Sequence, residues 1–235
     1  MSINRILLAE SVNNLFGHLG VTLSEDSIDA LEGYYDAVIE ANKEFNLTSI
    51  TAKDEFVVKH LIDSIAGVGF IPKDASLIDV GSGGGFPSFP IAAVREDVSV
   101  TALDSTAKKM NFVGGTARFL GVKNLTTVSG RAEECKDLFS KFDVVTARAV
   151  SALPVLLEIC SPLIKVGGLM LAYKTDESEL ENSKNALDKL KMTHKHTFEF
   201  NLPTGDRRAI LVFEKMAPTP NGYPRQYGQI KKRPL

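Results

Sequence analysis

The chain has 235 residues, of which 44% are hydrophobic and 24% charged, a composition that suits one globular core with an appendage. No apolar run approaches the roughly 20 residues that span a bilayer, and Glu10, Asn13 and Asn14 interrupt any signal-peptide core. Two cysteines, Cys135 and Cys160, are too few for a disulfide framework or a four-cysteine metal site. These features predict a cytoplasmic protein without a membrane span or a bound metal.

The charges are unevenly distributed, although the formal net charge is only −2. Residues 1–47 hold eight acidic side chains against Arg5 and Lys43, whereas residues 222–235 hold four basic side chains and no acidic one. The small net charge argues against a protein that coats nucleic acid indiscriminately. We therefore expect a polyanion to bind at local basic patches, with the acidic end turned away.

Three helical patterns occupy the first part of the chain. Ser24 is the predicted N-cap of the second helix, and Glu25 and Asp26 complement its dipole. A polar segment, 42–51, leads to the third helix, which begins at Asp54. The residues at helical spacing are Ile6, Leu7, Val12, Leu15 and Phe16 in the first helix, Ile28, Leu31, Tyr35, Val38 and Ile39 in the second, and Phe56, Val57, His60, Leu61 and Ile65 in the third.

From Leu77 onward, strand-like apolar runs alternate with helical segments, which indicates a mostly parallel sheet covered on both faces. The last two runs predict a closing antiparallel pair. A helix over 106–120 ends before Gly121, and Gly114 and Gly115 should soften it by about 1 kcal/mol each. The predicted strands are 76–80, 98–103, 125–129, 142–147, 168–174, 194–200 and 207–214, and a polar helix is predicted near 177–191.

These elements divide the chain into three predicted parts. Residues 1–70 form a helical extension packed on the core, and residues 71–216 form the α/β domain. Residues 217–235 form a basic tail rich in proline and glycine, which reads as a loop that orders against another surface.

The turn after the first strand carries the clearest motif. It reads Asp79-x-Gly81-x-Gly83-x-Gly85, and the second strand ends in Asp104. Glycines let a ligand approach the backbone without a Cβ collision, and a carboxylate at this position can bind a ribose hydroxyl pair. The pattern predicts a nucleoside-cofactor pocket at the carboxyl end of a parallel sheet, and a plain turn without a ligand is the alternative.

The spacing of the glycines bears on the choice of cofactor. Dinucleotide sites need a third glycine where this chain has Phe86, so a nicotinamide oxidoreductase ranks last. The pattern instead resembles motif I of class I S-adenosylmethionine-dependent methyltransferases, whose cofactor has no phosphate to bind. We expect Gly81, Gly83 and Gly85 to leave room for the methionine moiety.

Ordered motifs along most of the chain resemble one family. The matching segments are Asn42–Ile50, Lys59–Ser64, Asp79–Pro90, Leu103–Ser105 with Lys108-Lys109, Gly130–Glu134, Phe142–Ala149, Leu171–Lys174 and Tyr223–Arg225. They resemble the glucose-inhibited division protein B family, the small-subunit ribosomal RNA 7-methylguanosine methyltransferases. Ser88, where the family usually has glycine, and Ala41, where it has an aromatic residue, depart from the pattern without touching the cofactor residues.

The resemblance implies a fold, a reaction and a set of residues. The fold is the Rossmann-like class I methyltransferase fold, with a mostly parallel seven-stranded sheet and a C-terminal antiparallel strand pair. The reaction is methylation of guanine N7 in 16S ribosomal RNA, in the 530 loop of the small subunit, with S-adenosylmethionine as the methyl donor. Gly81 and Phe86 line the cofactor pocket, Ala132 and Glu133 meet the adenine, and Arg148 lies beside cofactor and substrate.

The segment after the fourth strand, Thr146–Ser151, bears on the chemistry. It has neither the Asn/Asp-Pro-Pro-aromatic motif of exocyclic-amine methyltransferases nor the cysteine that attack on pyrimidine C5 requires. A ring nitrogen such as guanine N7 has a free lone pair, so the site needs no general base. It must align donor and acceptor and exclude water. Arg148 is the predicted catalytic residue.

The RNA contacts follow from the position of N7 in the deep major groove of A-form RNA, which makes a looped-out base the expected target. We expect arginines to contact the base and tail residues to contact phosphates. Loss of the tail should then leave cofactor affinity intact. The candidates are Arg131, Arg148 and Arg207 for the base, and Arg225, Lys231, Lys232 and Arg233 for phosphates.

Two further functions stay open at this point: a class I methyltransferase of a small molecule or protein, and a nucleoside- and ribosome-binding protein without turnover. His60 is expected to be structural, paired with Asp63 or a backbone group, and His194 and His196 lack a partner for a metal ion. The expected partner is 16S ribosomal RNA or the small subunit, and we expect a monomer.

Overall fold

A mixed seven-stranded sheet organises the chain in the computed structural model, which describes residues 3–235. Strands β1–β5 are parallel, while β7 pairs antiparallel with both β5 and β6, in the order β3-β2-β1-β4-β5-β7-β6. This confirms the predicted fold class. The strands are β1 (Ser76–Val80), β2 (Ser99–Asp104), β3 (Leu125–Ser129), β4 (Phe142–Arg148), β5 (Ile164–Lys174), β6 (Met192–Asn201) and β7 (Arg207–Lys215).

Helices cover both faces of this sheet. Helix α3 is continuous but changes its winding, with α-helical ends, Lys53–Phe56 and Asp63–Ile65, around a π-helical centre, Val57–Ile62. The other helices are α1 (Arg5–Phe16), α2 (Glu25–Asn42), α4 (Ser88–Val94), α5 (Ala107–Phe119), α6 (Leu153–Cys160), α7 (Lys184–Leu190) and α8 (Tyr227–Lys232). In residues 3–235 none of the helices is long and apolar enough to cross a membrane.

Two apolar clusters hold these layers together. On one face, helices α1–α5 pack on the sheet in a single cluster that joins Leu8, Phe56 and Leu77. On the other face, helices α6–α8 pack on residues such as Val145 and Leu211. The helices of the predicted N-terminal extension therefore complete the sheet's core instead of forming a core of their own.

Local packing explains where the helices predicted from the sequence agree with the structure and where they differ from it. Ser24 caps α2 as predicted, because its Oγ accepts a hydrogen bond from Ser27 N at 3.1 Å. Ile6 is 70% exposed, since α1 buries the face of Leu8 and Val12, and two residues rotate a side chain to roughly the opposite side. At Gly114, a Cβ would lie 3.0 Å from Thr127 Oγ1 on β3, so close packing requires glycine inside α5.

The C-terminal part differs more from its prediction. The helix predicted near 177–191 contracts to Lys184–Leu190, and β5 begins earlier than expected because Ile164 pairs with Phe142 across a register shift. The tail, predicted as a loop, contains α8, and Ile230 of this helix is fully buried in the second cluster.

Candidate active site at the carboxyl ends of the strands

Two adjoining cavities open where the parallel strands end. The first, called the glycine-loop cavity, has a volume of about 290 Å³ and is lined by Val80, Gly81, Leu103, Asp104, Ser105, Gly130, Arg131, Ala132, Glu133, Ala149, Val150, Ile159 and Tyr227. The second, called the arginine cavity, has a volume of about 410 Å³ and is lined by Ile50, Lys59, His60, Asp63, Arg148, Ala149, Tyr173, Lys174, Thr175, Arg208, Ala209 and Ile210.

Ala149 is the residue that the two cavities share. It follows Arg148 at the end of β4 and has a φ of +56°, in the left-handed region that costs a non-glycine residue about 1 kcal/mol or more. Strained backbone of this kind persists only where the surrounding structure imposes it. The chain therefore holds a sharp turn at the junction of the two cavities.

Asp79 is buried beneath the glycine-rich turn and links the turn to its neighbours. Its carboxylate is fully buried and accepts hydrogen bonds from Thr146 Oγ1 at 3.0 Å and from Ser88 N at 3.2 Å. Burial raises the pKa of this carboxyl to about 6, against the opposing effect of its hydrogen bonds. Asp79 thus ties the turn to β4 and to the start of α4 and does not contact the cavity itself.

The three glycines of the motif have different roles. Gly81 lines the glycine-loop cavity with a φ of +75°, and a Cβ there would lie 2.5 Å from Val150 Cγ2. Gly83 has a φ of +57° but no atom that a Cβ would approach closely. At Gly85, with a φ of +87°, a Cβ would lie 2.0 Å from the Tyr34 hydroxyl, which donates to Gly84 O. Gly85 therefore packs against α2 and away from the cavity.

Asp104 lies on the wall of the glycine-loop cavity, at the end of β2. Its Oδ2 accepts from Gly83 N at 3.0 Å and its Oδ1 accepts from Thr106 N at 2.8 Å. Each carboxylate oxygen accepts more than one hydrogen bond, so both remain able to receive hydroxyl donors. This geometry fits the predicted contact with the ribose of a nucleoside.

Glu133 supplies the clearest sign of a ligand. Its side chain is only 6% exposed, and its Oε1 is buried without a hydrogen-bond partner. The nearest cation, Arg131 Nη1, is 3.8 Å away, too far for a hydrogen bond. A buried carboxylate oxygen without a donor is costly, so this atom fits a donor such as the exocyclic amine of adenine. Ala132 lies beside it in the cavity wall.

Arg148 forms the wall of the arginine cavity and is firmly held. Its Nη1 donates to Asp63 Oδ2 and to Lys59 O, both at 2.9 Å, and its Nη2 lies 3.1 Å from His60 Nδ1. The other oxygen of Asp63, Oδ1, accepts from Arg208 Nε at 3.1 Å. Both oxygens of Asp63 are therefore engaged by arginines, which fixes two guanidinium groups at the cavity.

His60 lies in the π-helical part of α3, a form of helix that often occurs at functional sites. Its ring stacks on Phe86 with centroids 4.4 Å apart, and its Nε2 lies 2.7 Å from Thr48 Oγ1. Burial and the charge of Arg148 lower its pKa to about 3. The imidazole is therefore neutral, so Nδ1 accepts from Arg148 and Nε2 donates to Thr48.

The contacts of His60 and Phe86 differ from those expected from the sequence. The partners of His60 are Thr48 and Arg148 instead of Asp63 or a backbone group. Phe86 does not line the glycine-loop cavity: it supports His60 and lies 5.6 Å below the guanidinium carbon of Arg148. Phe86 thus acts on the site through the two side chains that it packs against.

The predicted base contacts are dispersed. Arg131 is 49% exposed and lies over the ring of Tyr227, 5.2 Å from its centroid. Arg207 is 61% exposed and pairs with Glu199 on β6, outside the arginine cavity. Its neighbour Arg208 enters the cavity instead, because adjacent strand residues point to opposite faces. The two adjacent arginines are the signal in the sequence for this contact, but the sequence does not say which of them faces the cavity.

The tail residues also separate into two groups. Arg225 donates from its backbone N and its Nε to Glu158 Oε1, at 3.0 and 2.8 Å, so its charge is engaged inside the protein. Lys231, Lys232 and Arg233 are exposed at the end of α8. Sequence reasoning missed the carboxylate partner of Arg225, because Glu158 occurs in an otherwise apolar stretch of α6 and is fully buried.

Neither metal nor thiol chemistry has an evident basis in the part of the chain that the structure describes. Residues 3–235 contain no group of three or more histidine, cysteine, aspartate or glutamate side chains that could hold a metal ion. Cys160 is buried and Cys135 half-buried, and burial raises the pKa of both thiols. Neither cysteine lines the arginine cavity.

Comparisons with known proteins agree with this geometry. A solved precorrin-6y C5,15-methyltransferase from Geobacter metallireducens matches with a TM-score of 0.52 at 15% identity, covering 74% of this chain and 95% of that one. A solved SAM-dependent methyltransferase from Aquifex aeolicus matches with a TM-score of 0.50 at 16% identity, covering 61% and 84%. At such low identity these structures support the class I methyltransferase fold alone.

Closer similarity is found in sequence. Ribosomal RNA small subunit methyltransferase G of Streptococcus gordonii is 42% identical over 229 residues, which cover 94% of this chain and 97% of that protein. The model of the GidB family, described as rRNA small subunit methyltransferase G, matches residues 27–210. The cofactor of such a methyltransferase is S-adenosylmethionine, as predicted. The chain therefore belongs to the GidB family of rRNA small subunit methyltransferases.

Proposed function

We propose that this protein transfers the methyl group of S-adenosylmethionine to N7 of a guanine in 16S ribosomal RNA, in the 530 loop to which the family resemblance points. The observation that carries the proposal is the arginine cavity beside the glycine-loop cavity. Its acidic and imidazole groups are fully engaged: Asp63 holds Arg148 and Arg208, and His60 contacts Arg148 and Thr48. An acceptor that must first lose a proton has no evident base among these residues.

Four residues of the glycine-loop cavity hold the cofactor in this proposal. Asp104 accepts the ribose hydroxyls, and the buried Oε1 of Glu133 accepts the adenine amine beside Ala132. Gly81 keeps the backbone close to the ligand. When bound, S-adenosylmethionine supplies an electrophilic methyl group on a sulfonium. The protein then has to direct the acceptor toward that methyl group across the junction at Ala149.

Guanine N7 suits the arginine cavity because its in-plane lone pair is free at neutral pH. Attack forms the N7–carbon bond and breaks the sulfur–carbon bond, so the positive charge moves from the sulfonium to the guanine ring. Two arginines alone would oppose that charge, but Asp63 lies between them and offsets one. Arginine also has donors that match the major-groove edge of guanine.

The two arginines of the cavity support an RNA substrate. Lys59 and Lys174 also line it but are paired with Glu55 and Glu179, whereas Arg148 and Arg208 share the single carboxylate of Asp63. The positive charge that this shared carboxylate leaves on the arginine pair attracts the phosphates on either side of a base that enters. A guanine within an A-form helix would hide N7, so the substrate is a looped-out base. Because ribosomal RNA is the substrate, the proposal places the reaction in the cytoplasm.

The test combines a deletion strain with reconstitution. Small subunits from cells that lack the protein are incubated with the purified enzyme and S-adenosylmethionine, and the 16S nucleosides are analysed by mass spectrometry before and after. We expect one 7-methylguanosine to be missing before incubation and restored after it. A matched RNA with 7-deazaguanosine at the mapped position, where carbon replaces N7, should accept no methyl group.

Each alternative predicts a different result. Methylation at another atom would give a different modified nucleoside and would contradict the N7 assignment. A protein-directed or small-molecule methyltransferase would leave the nucleosides of the deletion strain unchanged. A binding protein without turnover would bind S-adenosylmethionine but transfer no methyl group to subunits or RNA.

A further inference from the structure

The C-terminal segment, Tyr223–Leu235, is docked on the protein beside the glycine-loop cavity. Arg225 donates hydrogen bonds from its backbone N, its Nε and its Nη2 to Glu158 of α6, whose carboxylate has no solvent exposure. Ile230 of α8 is fully buried against the same layer. Two independent contacts therefore fix this short helix, one just before it and one within it.

Tyr227 begins this helix and lies on the cavity. It is three residues before Ile230, so the two side chains share one face of α8. The ring lines the glycine-loop cavity together with Ala132 and Glu133, the two residues that the family resemblance places at the adenine. Arg131 lies over the ring, 5.2 Å from its centroid. An aromatic side chain thus borders the cavity next to the orphaned Oε1 of Glu133.

We infer that Tyr227 is a cofactor-binding residue, and that the C-terminal segment forms the outer wall of the adenosine part of the cofactor pocket. Aromatic rings and purines attract each other by offset or edge contacts in addition to the apolar area that they bury. The ring of Tyr227 supplies this contact, while Glu133 supplies the polar one. The inference rests on the proposed function only through the binding of S-adenosylmethionine and is independent of the methylated atom.

The first experiment measures the affinity of the full-length protein for S-adenosylmethionine by calorimetry. Tyr227→Ala removes the ring and should weaken binding by about 3- to 10-fold, the range expected for one aromatic contact. Tyr227→Phe keeps the ring and should stay within about 2-fold of the wild type. Gln229→Ala, an exposed change on the same helix outside the cavity lining, is the matched control and should bind normally.

A second experiment keeps an aromatic side chain at position 227. The chain contains no tryptophan, so Tyr227→Trp introduces a single fluorophore at the proposed wall. Its emission should change saturably as S-adenosylmethionine is added, with the midpoint that calorimetry gives for the same variant. Gln229→Trp places the fluorophore on the solvent side of α8 and should respond far less.

The outcomes separate this inference from the proposed function. If the wild-type protein does not bind S-adenosylmethionine, the proposed function fails. If the wild type binds it but Tyr227→Ala binds equally well, the inference alone is overturned. The inference is also overturned if the emission of Tyr227→Trp does not change while calorimetry shows that this variant binds S-adenosylmethionine. If Tyr227→Ala melts at a much lower temperature than the wild type, the tryptophan variant decides.

Discussion

At the residue scale, the guanidinium of Arg148 is held by three groups that come from one helix. Lys59 O, His60 Nδ1 and Asp63 Oδ2 all lie on α3, while Arg148 itself ends β4. A side chain fixed at both ends keeps its orientation without help from the substrate, and small misplacements of a reacting pair are costly in rate. In the proposed reaction, His60 is thus a positioning residue that acts through Arg148.

His60 can be tested with two amide substitutions that copy one ring nitrogen each. In His60→Asn, the amide oxygen occupies the place of Nδ1 and can still accept from Arg148. In His60→Gln, the amide reaches the place of Nε2 and retains only the contact with Thr48. We expect the single-turnover rate to fall by less than about 10-fold in His60→Asn and by about 100-fold in His60→Gln.

The control for this pair is cofactor affinity, which should be unchanged in both variants because His60 does not line the glycine-loop cavity. Equal rates in the two variants would show that the Nδ1 contact has no role in the reaction. If the two variants lose the same rate and also the same melting temperature, His60 only stabilises the fold.

The lowered pKa of His60 also predicts how stability depends on pH. The folded protein keeps the ring neutral down to a pKa of about 3, whereas in the unfolded chain the ring binds a proton near its ordinary value of 6.5. Between these values the unfolded state holds more protons, so stability falls as the pH falls. Asp79 acts in the opposite direction, because its raised pKa of about 6 favours the folded state toward acid.

Comparing two proteins isolates the contribution of His60. The free energy of unfolding is measured by urea denaturation at pH 7.5 and pH 5 for the wild type and for His60→Asn, which does not titrate. Asp79 contributes equally to both proteins. We expect the wild type to lose about 1–2 kcal/mol more than the variant between the two pH values. Parallel losses would mean that the imidazole binds protons in the folded state as readily as in the unfolded chain.

At the element scale, the glycine-rich turn joins the glycine-loop cavity to the N-terminal helices. Tyr34 of α2 stacks on Phe89 of α4 with centroids 3.6 Å apart and donates its hydroxyl proton to Gly84 O. The spacing of the motif predicts a glycine-rich turn, but spacing alone does not separate a glycine that faces the cavity from one that faces a helix. That distinction depends on α2, which is remote in sequence.

Two alanine substitutions in this turn should therefore differ. At Gly83 a Cβ has open space and meets only the strain of a φ of +57°, so Gly83→Ala should destabilise the protein by about 1–2 kcal/mol. At Gly85 the Cβ also collides with the Tyr34 hydroxyl, so Gly85→Ala should cost clearly more. Thermal melting of both variants measures the difference.

A double variant identifies the cause. Tyr34→Phe removes the hydroxyl that a Cβ at Gly85 would approach most closely, so Gly85→Ala should be less destabilising in the Tyr34→Phe background than in the wild type. Additive effects in this cycle would show that the Tyr34 hydroxyl is not the cause of the cost. Gly83→Ala serves as the reference, since its effect should be the same in both backgrounds.

At the scale of the whole molecule, the sequence predicted the layers better than the surfaces. Alternating apolar runs and helical stripes set the seven strands and the principal helices, because burial imposes those periods locally. Contacts between distant segments were not predictable in this way. The sequence around Glu158 does not predict its ion pair with Arg225. The polar composition of the tail likewise does not predict that Ile230 packs in the core. The composition of the basic tail therefore predicts a loop, and only the three-dimensional contacts show that it is docked.

The docked tail changes the expectation that its loss would leave cofactor affinity intact. Truncation after Pro224 removes the Arg225–Glu158 pair, the buried Ile230 and Tyr227 on the cavity wall together with the basic residues. It leaves a buried carboxylate without its partner, a change that typically costs about 3–5 kcal/mol. The truncated protein should therefore melt at a lower temperature and bind S-adenosylmethionine more weakly, and unchanged values of both would contradict the docked arrangement.

A charge-neutral variant separates the electrostatic role of the tail from this structural one. Changing Lys231, Lys232 and Arg233 to glutamine leaves Arg225, Tyr227 and Ile230 in place, so the variant should melt as the wild type does and bind S-adenosylmethionine normally in the absence of RNA. Its affinity for small subunits should fall with a shallower dependence on salt, because up to three fewer phosphates are neutralised and fewer counterions are released. The matched control replaces the exposed Lys184, Lys189 and Lys191, in and just after α7, with glutamine. If the two triple variants have the same salt slope, the basic end of the tail does not contact RNA, and the phosphate path lies along the cations of the arginine cavity alone.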